Sequence, residues 1–211
     1  MRKTIGKWMW ACAAMMAMSA SQAYAWQDFT NVQVDTLPIL GGSQASAADY
    51  QSNWAADQVL WPVAPAGYGS YVAPVWDGSV NNSNVNGSFF DISFHYSTSF
   101  AVSGGLYEIQ IGPDFGFGGA VFVDGNAVAY NPNDMWWAGS FSNPTQFFDV
   151  FVTLSAGSHT LDVYGQEGCC DGGTEGRFQS VPEPTSLALA GMGLFLLSAG
   201  AIRRRRAVTT A

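Results

Sequence analysis

Through the middle of the chain, short runs of Val, Ile, Phe and Tyr alternate with clusters of Gly, Asn, Asp, Pro and Ser. This is the pattern of strands joined by tight turns. It predicts strands at Tyr71–Trp76, Ser88–His95, Ser97–Val102, Gly105–Ile111, Ala120–Val123, Ala127–Tyr130, Gln146–Leu154, His159–Tyr164 and Gly176–Ser180. Within Leu106–Ile111 the alternation puts Tyr107, Ile109 and Ile111 on one face and Leu106 and Gln110 on the other. Asp124-Gly125 between two apolar runs is a hairpin signal, because glycine tolerates positive φ. Ala156-Gly157 reads as another turn. A single short helix is expected over Ala45 to Leu60, closed by Pro62 and Pro65. So many short strands predict an all-β fold, a jelly-roll-like β-sandwich with its core over about residues 71–180.

The two ends break this pattern. At the N-terminus Arg2, Lys3 and Lys7 precede an apolar run from Trp8 to Met18, and Ala23-Tyr24-Ala25 offers small-x-small positions. That layout is a secretory signal peptide over residues 1–25, a signal helix removed by signal peptidase so that the mature chain starts at Trp26. Cys12 falls inside the discarded peptide, and Met9-Trp10-Ala11 makes a poor lipobox before it. At the other end Val181-Pro182-Glu183-Pro184 interrupts regular structure. Thr185 to Ile202 then gives 18 uncharged residues, long enough for a transmembrane helix, with Arg203, Arg204, Arg205 and Arg206 as a basic stop.

The order Pro-Glu-Pro, apolar helix, arginine cluster closely resembles the PEP-CTERM sorting tail of Gram-negative bacteria, here over residues 181–211. The resemblance implies an exosortase as partner, a transient inner-membrane intermediate, cleavage near Pro182-Glu183-Pro184, and delivery to the cell surface or extracellular matrix. The family is associated with exopolysaccharide and biofilm. The tail is an address and carries no activity of its own.

Removing both ends changes the charge picture. Of the eight Lys and Arg residues only Arg177 lies within 26–180, whereas 15 of the 16 acids do, so the net charge there is −14 against −8 for the whole chain. Such a domain is repelled by phosphate backbones, which excludes nucleic acid as a partner. Cations and neutral polymers such as polysaccharides remain.

A second resemblance lies in the central strands. Gly105-Leu106-Tyr107-Glu108-Ile109, Val121-Phe122-Val123-Asp124-Gly125-Asn126 and the run from Val152 to Tyr164 resemble the protective-antigen-type and fibro-slime carbohydrate-binding β-sandwich. In lectin members of that group paired loop aspartates hold calcium and sugar. The corresponding loop here, Gly112-Pro113-Asp114-Phe115-Gly116-Phe117, has a single aspartate.

Cys169-Cys170 is the only cysteine pair left after export. In an oxidising compartment the two can bond to each other, bond to another chain, or stay as thiols. Gly168, Gly172 and Gly173 around them accommodate the unusual backbone that a vicinal disulfide needs. The run Gly168-Cys169-Cys170-Asp171-Gly172, followed by Glu175-Gly176-Arg177-Phe178, resembles a Cys-Cys-x-Gly group of PEP-CTERM proteins for which no activity can be carried over.

Candidate chemistry is sparse. Trp136 and Trp137, in a loop with Asn133 and Asp134, form the candidate glycan contact, since indole faces stack on sugar rings while Asn and Asp reach hydroxyls; the alternative is that one tryptophan caps the sandwich core while the other packs beneath the loop. Asp171, Glu167, Glu175 and Asp114 are candidate calcium oxygens, set against the simpler alternative of a solvated acidic loop. No cofactor is otherwise expected. Trp54, Trp61 and Trp76 are expected in the core, His95 and His159 as structural residues inside strands, and Arg177 paired with a carboxylate. No nucleophile elbow, phosphate-binding glycine loop or zinc-protease helix is present, so no catalytic residue is assigned and enzyme activity is not expected. The expected function is an exported, non-catalytic protein associated with exopolysaccharide. The alternatives are a structural adhesion protein without glycan preference and a polysaccharide-active enzyme.

Overall fold

In the computed structural model, two very long strands carry the domain: β5 (Phe90–Gly112) and β10 (Phe148–Cys169). They pair antiparallel from Phe148 opposite Ile111 to Cys169 opposite Phe90. The structure describes residues 25–182, together with Gly191 and Gly193. The expected signal peptide, Glu183, Pro184 and the span at 185–202 with its arginines lie outside the described residues, Gly191 and Gly193 apart. Among the described residues no helix is long and apolar enough to cross a membrane.

Side-chain parity explains how one strand pair builds two layers. In the first half of β5 the even positions Ile92, Phe94, Tyr96 and Phe100 are buried; in the second half it is Tyr107, Ile109 and Ile111. β10 switches likewise, from Phe148, Val150 and Leu154 to Leu161 and Val163. A strand keeps its faces with period two, so a switch of parity requires a corner. The corner falls at Gly104 and Gly105 (φ +86° and +119°) and, opposite, at Gly157 (φ +138°). A Cβ at Gly104 would lie 2.9 Å from the Ala156 nitrogen. The turn expected at Ala156-Gly157 is therefore a bend through which β10 continues, and the three strands expected between Ser88 and Ile111 are one.

The other strands flank these two halves. β2 (Thr30–Pro38) pairs with the first half of β5 and with β3 (Ser70–Val75). β7 (Gly119–Val123) pairs with the second half of β10 and with β8 (Asn126–Asn131). β11 (Thr174–Val181) lies beside β5 and carries the short β1 (Gln27–Asp28) and β4 (Asp77–Val80). The result is a mostly β, sandwich-like fold around one apolar core. Phe29, Val32 and Val34 are buried in it, so the core draws on residues well before 71. Trp76 stacks on Tyr96 at 4.8 Å, and its Nε1 donates to Thr174 Oγ1 at 2.7 Å.

The expected helix is present as α1 (Ala47–Leu60). The Ser46 hydroxyl oxygen caps it by accepting from the Asp49 N–H, and donates back to the Asp49 carboxylate at 2.8 Å. Pro62 prevents a further turn. Tyr50 and Trp54 pin α1 to the outer face of the sheet, against Leu37, Phe122 and Tyr164. A one-turn helix, α2 (Asn82–Val85), closes the loop after β4.

Asp124 and Gly125 (φ +51° and +74°) make the expected hairpin between β7 and β8. His159, buried beside it, places Nδ1 2.6 Å from Asp124 Oδ2 and Nε2 3.0 Å from the Ser155 carbonyl. Both partners only accept, so the ring satisfies both as an imidazolium. The Asp124 hydrogen bond, followed by the Ser155 carbonyl, raises the His159 pKa; the same bond lowers that of Asp124. The histidine's contribution is thus complete below about pH 6.5, its ordinary value, and is lost as pH rises through the elevated folded value. Urea unfolding of His159→Gln should show a clear loss of midpoint against wild type at about pH 6 and a smaller one at about pH 9. An equal loss at both would show that the ring is not charged in the folded protein.

Candidate functional site

Two short strands gather most of the residues singled out by the sequence. β6 (Asp114–Phe115) follows β5 directly, and β9 (Met135–Trp136) pairs with it so that Asp114 lies opposite Trp136 and Phe115 opposite Met135. The pairing fixes the tryptophans in opposite environments. Trp136 is 64% exposed, whereas Trp137 is buried, its backbone N–H donating to the Pro113 carbonyl at 3.0 Å. Its indole occupies the space beside Gly112, where a Cβ would come within 2.2 Å of the ring. Only Trp136 is therefore presented to a ligand. The Trp136 backbone N–H is held by the Gln146 side chain. Asn133 is exposed and folded onto Asn131 Oδ1 through its N–H at 3.0 Å and its amide at 2.9 Å; Asp134 is exposed beside it.

Beneath this edge lie three buried carboxylates. Asp114 accepts from the Gly172 N–H at 2.6 Å, Asp171 from the Ser83 N–H at 2.7 Å, and Glu167 from the N–H groups of Gly116 at 2.5 Å and Cys169 at 2.6 Å. They staple the β5–β7 loop and α2 to the turn after β10. Glu175 lies elsewhere, in the electrostatic neighbourhood of Arg177, Asp28 and Asp77. The four candidate calcium ligands thus do not converge. Among the described residues no group of three or more His, Cys, Asp or Glu side chains is arranged to hold a metal ion.

Cys169 and Cys170 are joined by a vicinal disulfide and are exposed. Cys170 has φ +76°, and the Cys170 and Asp171 N–H groups both donate to the Phe89 carbonyl. Phe89 and Phe90, each about half exposed, flank the bond. Arg177 departs from expectation. Its guanidinium lies between the rings of Trp26 (4.3 Å) and Phe141 (3.8 Å) and donates to Gln110 Oε1 at 2.8 and 3.1 Å. An amide and two aromatic faces hold it where a carboxylate was expected, as cation–π attraction allows.

Trp76 and Trp54 are buried as expected, but Trp61 is 37% exposed at the end of α1. His95 sits inside β5, stacked on Tyr164 at 4.5 Å and bonded to Asp162 at 2.9 Å.

With this geometry in view, the comparisons separate the tail from the domain. Residues 180–206 match the PEP-CTERM protein-sorting motif. The motif begins within β11 and runs past the described residues. It implies an exported exosortase substrate. No curated protein matches the chain. Among solved structures, a GH2 β-galacturonidase from Eisenbergiella tayi shows 15% identity and a TM-score of 0.42 over 75% of this chain, which spans a quarter (25%) of that enzyme. A PA14 sugar-binding domain from an RTX adhesin shows 16% identity and a TM-score of 0.43, covering 71% of this chain and 88% of that one. A PA14 domain of the antifreeze protein MpAFP shows 11% identity and 0.47, covering 75% and 86%. Likenesses this distant carry no functional inference.

The buried carboxylates make the stability of this edge depend on pH. Burial, then the charge of Glu167, pushes the Asp114 carboxyl up to about 7. Its ordinary value is about 3.9, so its contribution to folding is complete below about pH 4 and lost as pH climbs through about 7. Asp114→Asn keeps an acceptor for Gly172 without the charge. Thermal unfolding should show the variant equal to wild type at about pH 4 and progressively more stable than it up to about pH 8. Parallel curves would show that Asp114 is not the source.

Proposed function

We propose that this protein is an exported, non-catalytic module of the cell surface or extracellular matrix of a Gram-negative bacterium. It passes through an inner-membrane intermediate, is processed by an exosortase, and associates with the producer's exopolysaccharide. The observation that carries this proposal is the match of residues 180–206 to the sorting motif. The composition agrees with it: a net charge of −14 over residues 26–180 suits a neutral polymer and repels a polyanion. Trp136, exposed and held by the β6–β9 pair, supplies the aromatic face on which a sugar ring stacks, with Asn133 and Asp134 as hydrogen-bonding neighbours. A non-catalytic role fits the buried acids of this edge, each of which accepts from at least one backbone N–H group.

Two measurements test this. Replacing Pro182-Glu183-Pro184 by alanines should leave unprocessed protein in the inner membrane, as followed by fractionation and immunoblot; normal release would refute exosortase processing. Pull-down with the producer's own exopolysaccharide should retain the processed wild type, and Trp136→Ala should weaken retention by about tenfold with an unchanged melting temperature. Equal retention of the variant would remove Trp136 from the contact. No retention of wild type would leave an adhesion protein without glycan preference.

A further inference from the structure

The outer face of the sheet carries a second, unassigned groove on the side covered by α1. Along α1, Trp54, Asp57, Gln58 and Trp61 fall at successive helical spacings and share one face. Trp54 packs down on His95 at 5.5 Å, while Trp61, left at the helix end by Pro62, stands part-exposed. Between these side chains and the β2–β3 edge lies a cavity of about 380 Å³, lined by Trp54, Gln58, Trp61, Asp35, Leu37 and Ser70 among others. Asp57, on the same helix face, is buried with Oδ2 lacking a hydrogen-bond partner.

Asp35, in the lining of this cavity, is tied to its neighbours. That carboxylate accepts from Gln33 Nε2 at 2.8 Å and lies 3.8 Å from His95 Nδ1, and the same imidazole meets Asp162 through Nε2 at 2.9 Å. Asp162 lines a second, open depression of about 520 Å³ with Asn31, Ser97, Ser99 and Thr160. The register sets these side chains in rows: Gln33 is opposite Ser97, which is opposite Asp162, and Ser99 is opposite Thr160. Their positions alternate with those of the core residues Val32, Val34, Tyr96, Phe100, Leu161 and Val163, so all of them point outward. His95 thus touches a lining carboxylate of each depression, and β2 carries Asp35 of one and Asn31 of the other on the same outward face, so the two lie along one track. It runs from Trp61 past Asp35 to Asn31, about 20 Å by strand rise from Leu37 to Asn31.

We propose that this track is a binding groove for a stretch of a neutral, linear polysaccharide, separate from the Trp136 edge. The indole of Trp61 stacks on the apolar face of a sugar ring at one end. Asp35, Gln58 and Ser70 take the hydroxyls of that ring, and the Ser97, Ser99, Thr160 and Asp162 row takes those of the rings that follow. Charge selects the polymer. No Lys or Arg lines either depression, and both carry a carboxylate, so uronate and sulfated chains are repelled. The length favours recognition along a chain over capture of one terminal sugar. This rests on the exopolysaccharide proposal for its ligand class, and not on Trp136.

The test is tryptophan fluorescence titration of the processed protein with oligosaccharides from partial acid hydrolysis of the producer's exopolysaccharide, split into neutral and acidic fractions. The neutral fraction should bind and the acidic one should not. Trp61→Ala should weaken binding about tenfold, the loss expected when one aromatic contact face is removed. Gln58→Ala, at an exposed helix position, should also weaken it, with an unchanged melting temperature. Neutral fragments binding both α1 variants as tightly as wild type would overturn the groove, as would preference for the acidic fraction. No binding of fragments, with the whole polymer still retained in the pull-down, would overturn the groove alone. Loss of both would overturn the exopolysaccharide assignment with it.

Discussion

Everything in the domain depends on the antiparallel pairing of β5 with β10. Because both strands turn the corner together, each supplies one half to each layer, and the backbone hydrogen bonds that define one layer continue into the other. A break in this ladder would therefore uncouple the layers as well as unpair two strands. The corner works only with residues free to take positive φ: Gly104, Gly105 and Gly157 bend the pair, and the parity of buried side chains switches there. The same geometry fixes where functional groups can stand. β6 and the disulfide turn issue from the ends of the two long strands, so the Trp136 edge and the vicinal disulfide come together without any sequence proximity between residues 114, 136 and 169.

Acidic residues are used in two opposed ways. At the Trp136 edge, Asp114, Glu167 and Asp171 are buried and each accepts from backbone N–H groups through at least one oxygen, tying α2 and two loops to the strand ends. Desolvation raises all three pKa values, so this stapling is bought against the preference of each carboxylate for water. On the outer face, Asp35 and Asp162 lie on either side of a histidine ring and remain part-exposed. Carboxylates of the first kind hold the fold; those of the second kind are placed where a ligand can reach them.

The parts of this organisation that are local were legible in the sequence. The helix announced itself through Ser46, Asp49 and Pro62, and the β7–β8 hairpin through Asp124-Gly125, because caps and tight turns are chosen by neighbouring residues. The vicinal disulfide is one of three states that adjacent cysteines among glycines allow in an exported chain, and the structure has that one. Continuity of β5 and β10 was hidden, since Gly104-Gly105 and Ala156-Gly157 carry the composition of a turn and only tertiary pairing makes them a corner. β2 is a strand that the predicted set lacks, because the alternation of Val32 and Val34 is too short between Asn31 and Pro38 to stand out before pairing with β3 and β5 fixes it. The β6–β9 pair has two residues per strand, too few for any period, so its placing of Asp114 opposite Trp136 could not be read from spacing.

Trp61 shows most clearly why burial of an aromatic cannot be assigned from residue type. Trp54 and Trp61 are seven positions apart on one helix face and differ only in what lies beneath them. Trp54 stands over the sheet, where His95 and Tyr164 form a stacked pair. Trp61 lies beyond the last turn, where Pro62 diverts the chain, and lines the cavity beside the β2–β3 edge. A single part-exposed ring is ordinary on a protein surface, so Trp61 takes its meaning from the polar groove it lines. The groove beside it carries Asp35, Gln58 and Ser70 and no cation, so the occupant proposed for it is apolar on one side, rich in hydroxyls on the other, and uncharged. A pyranose chain has that combination; a peptide helix or a lipid tail does not.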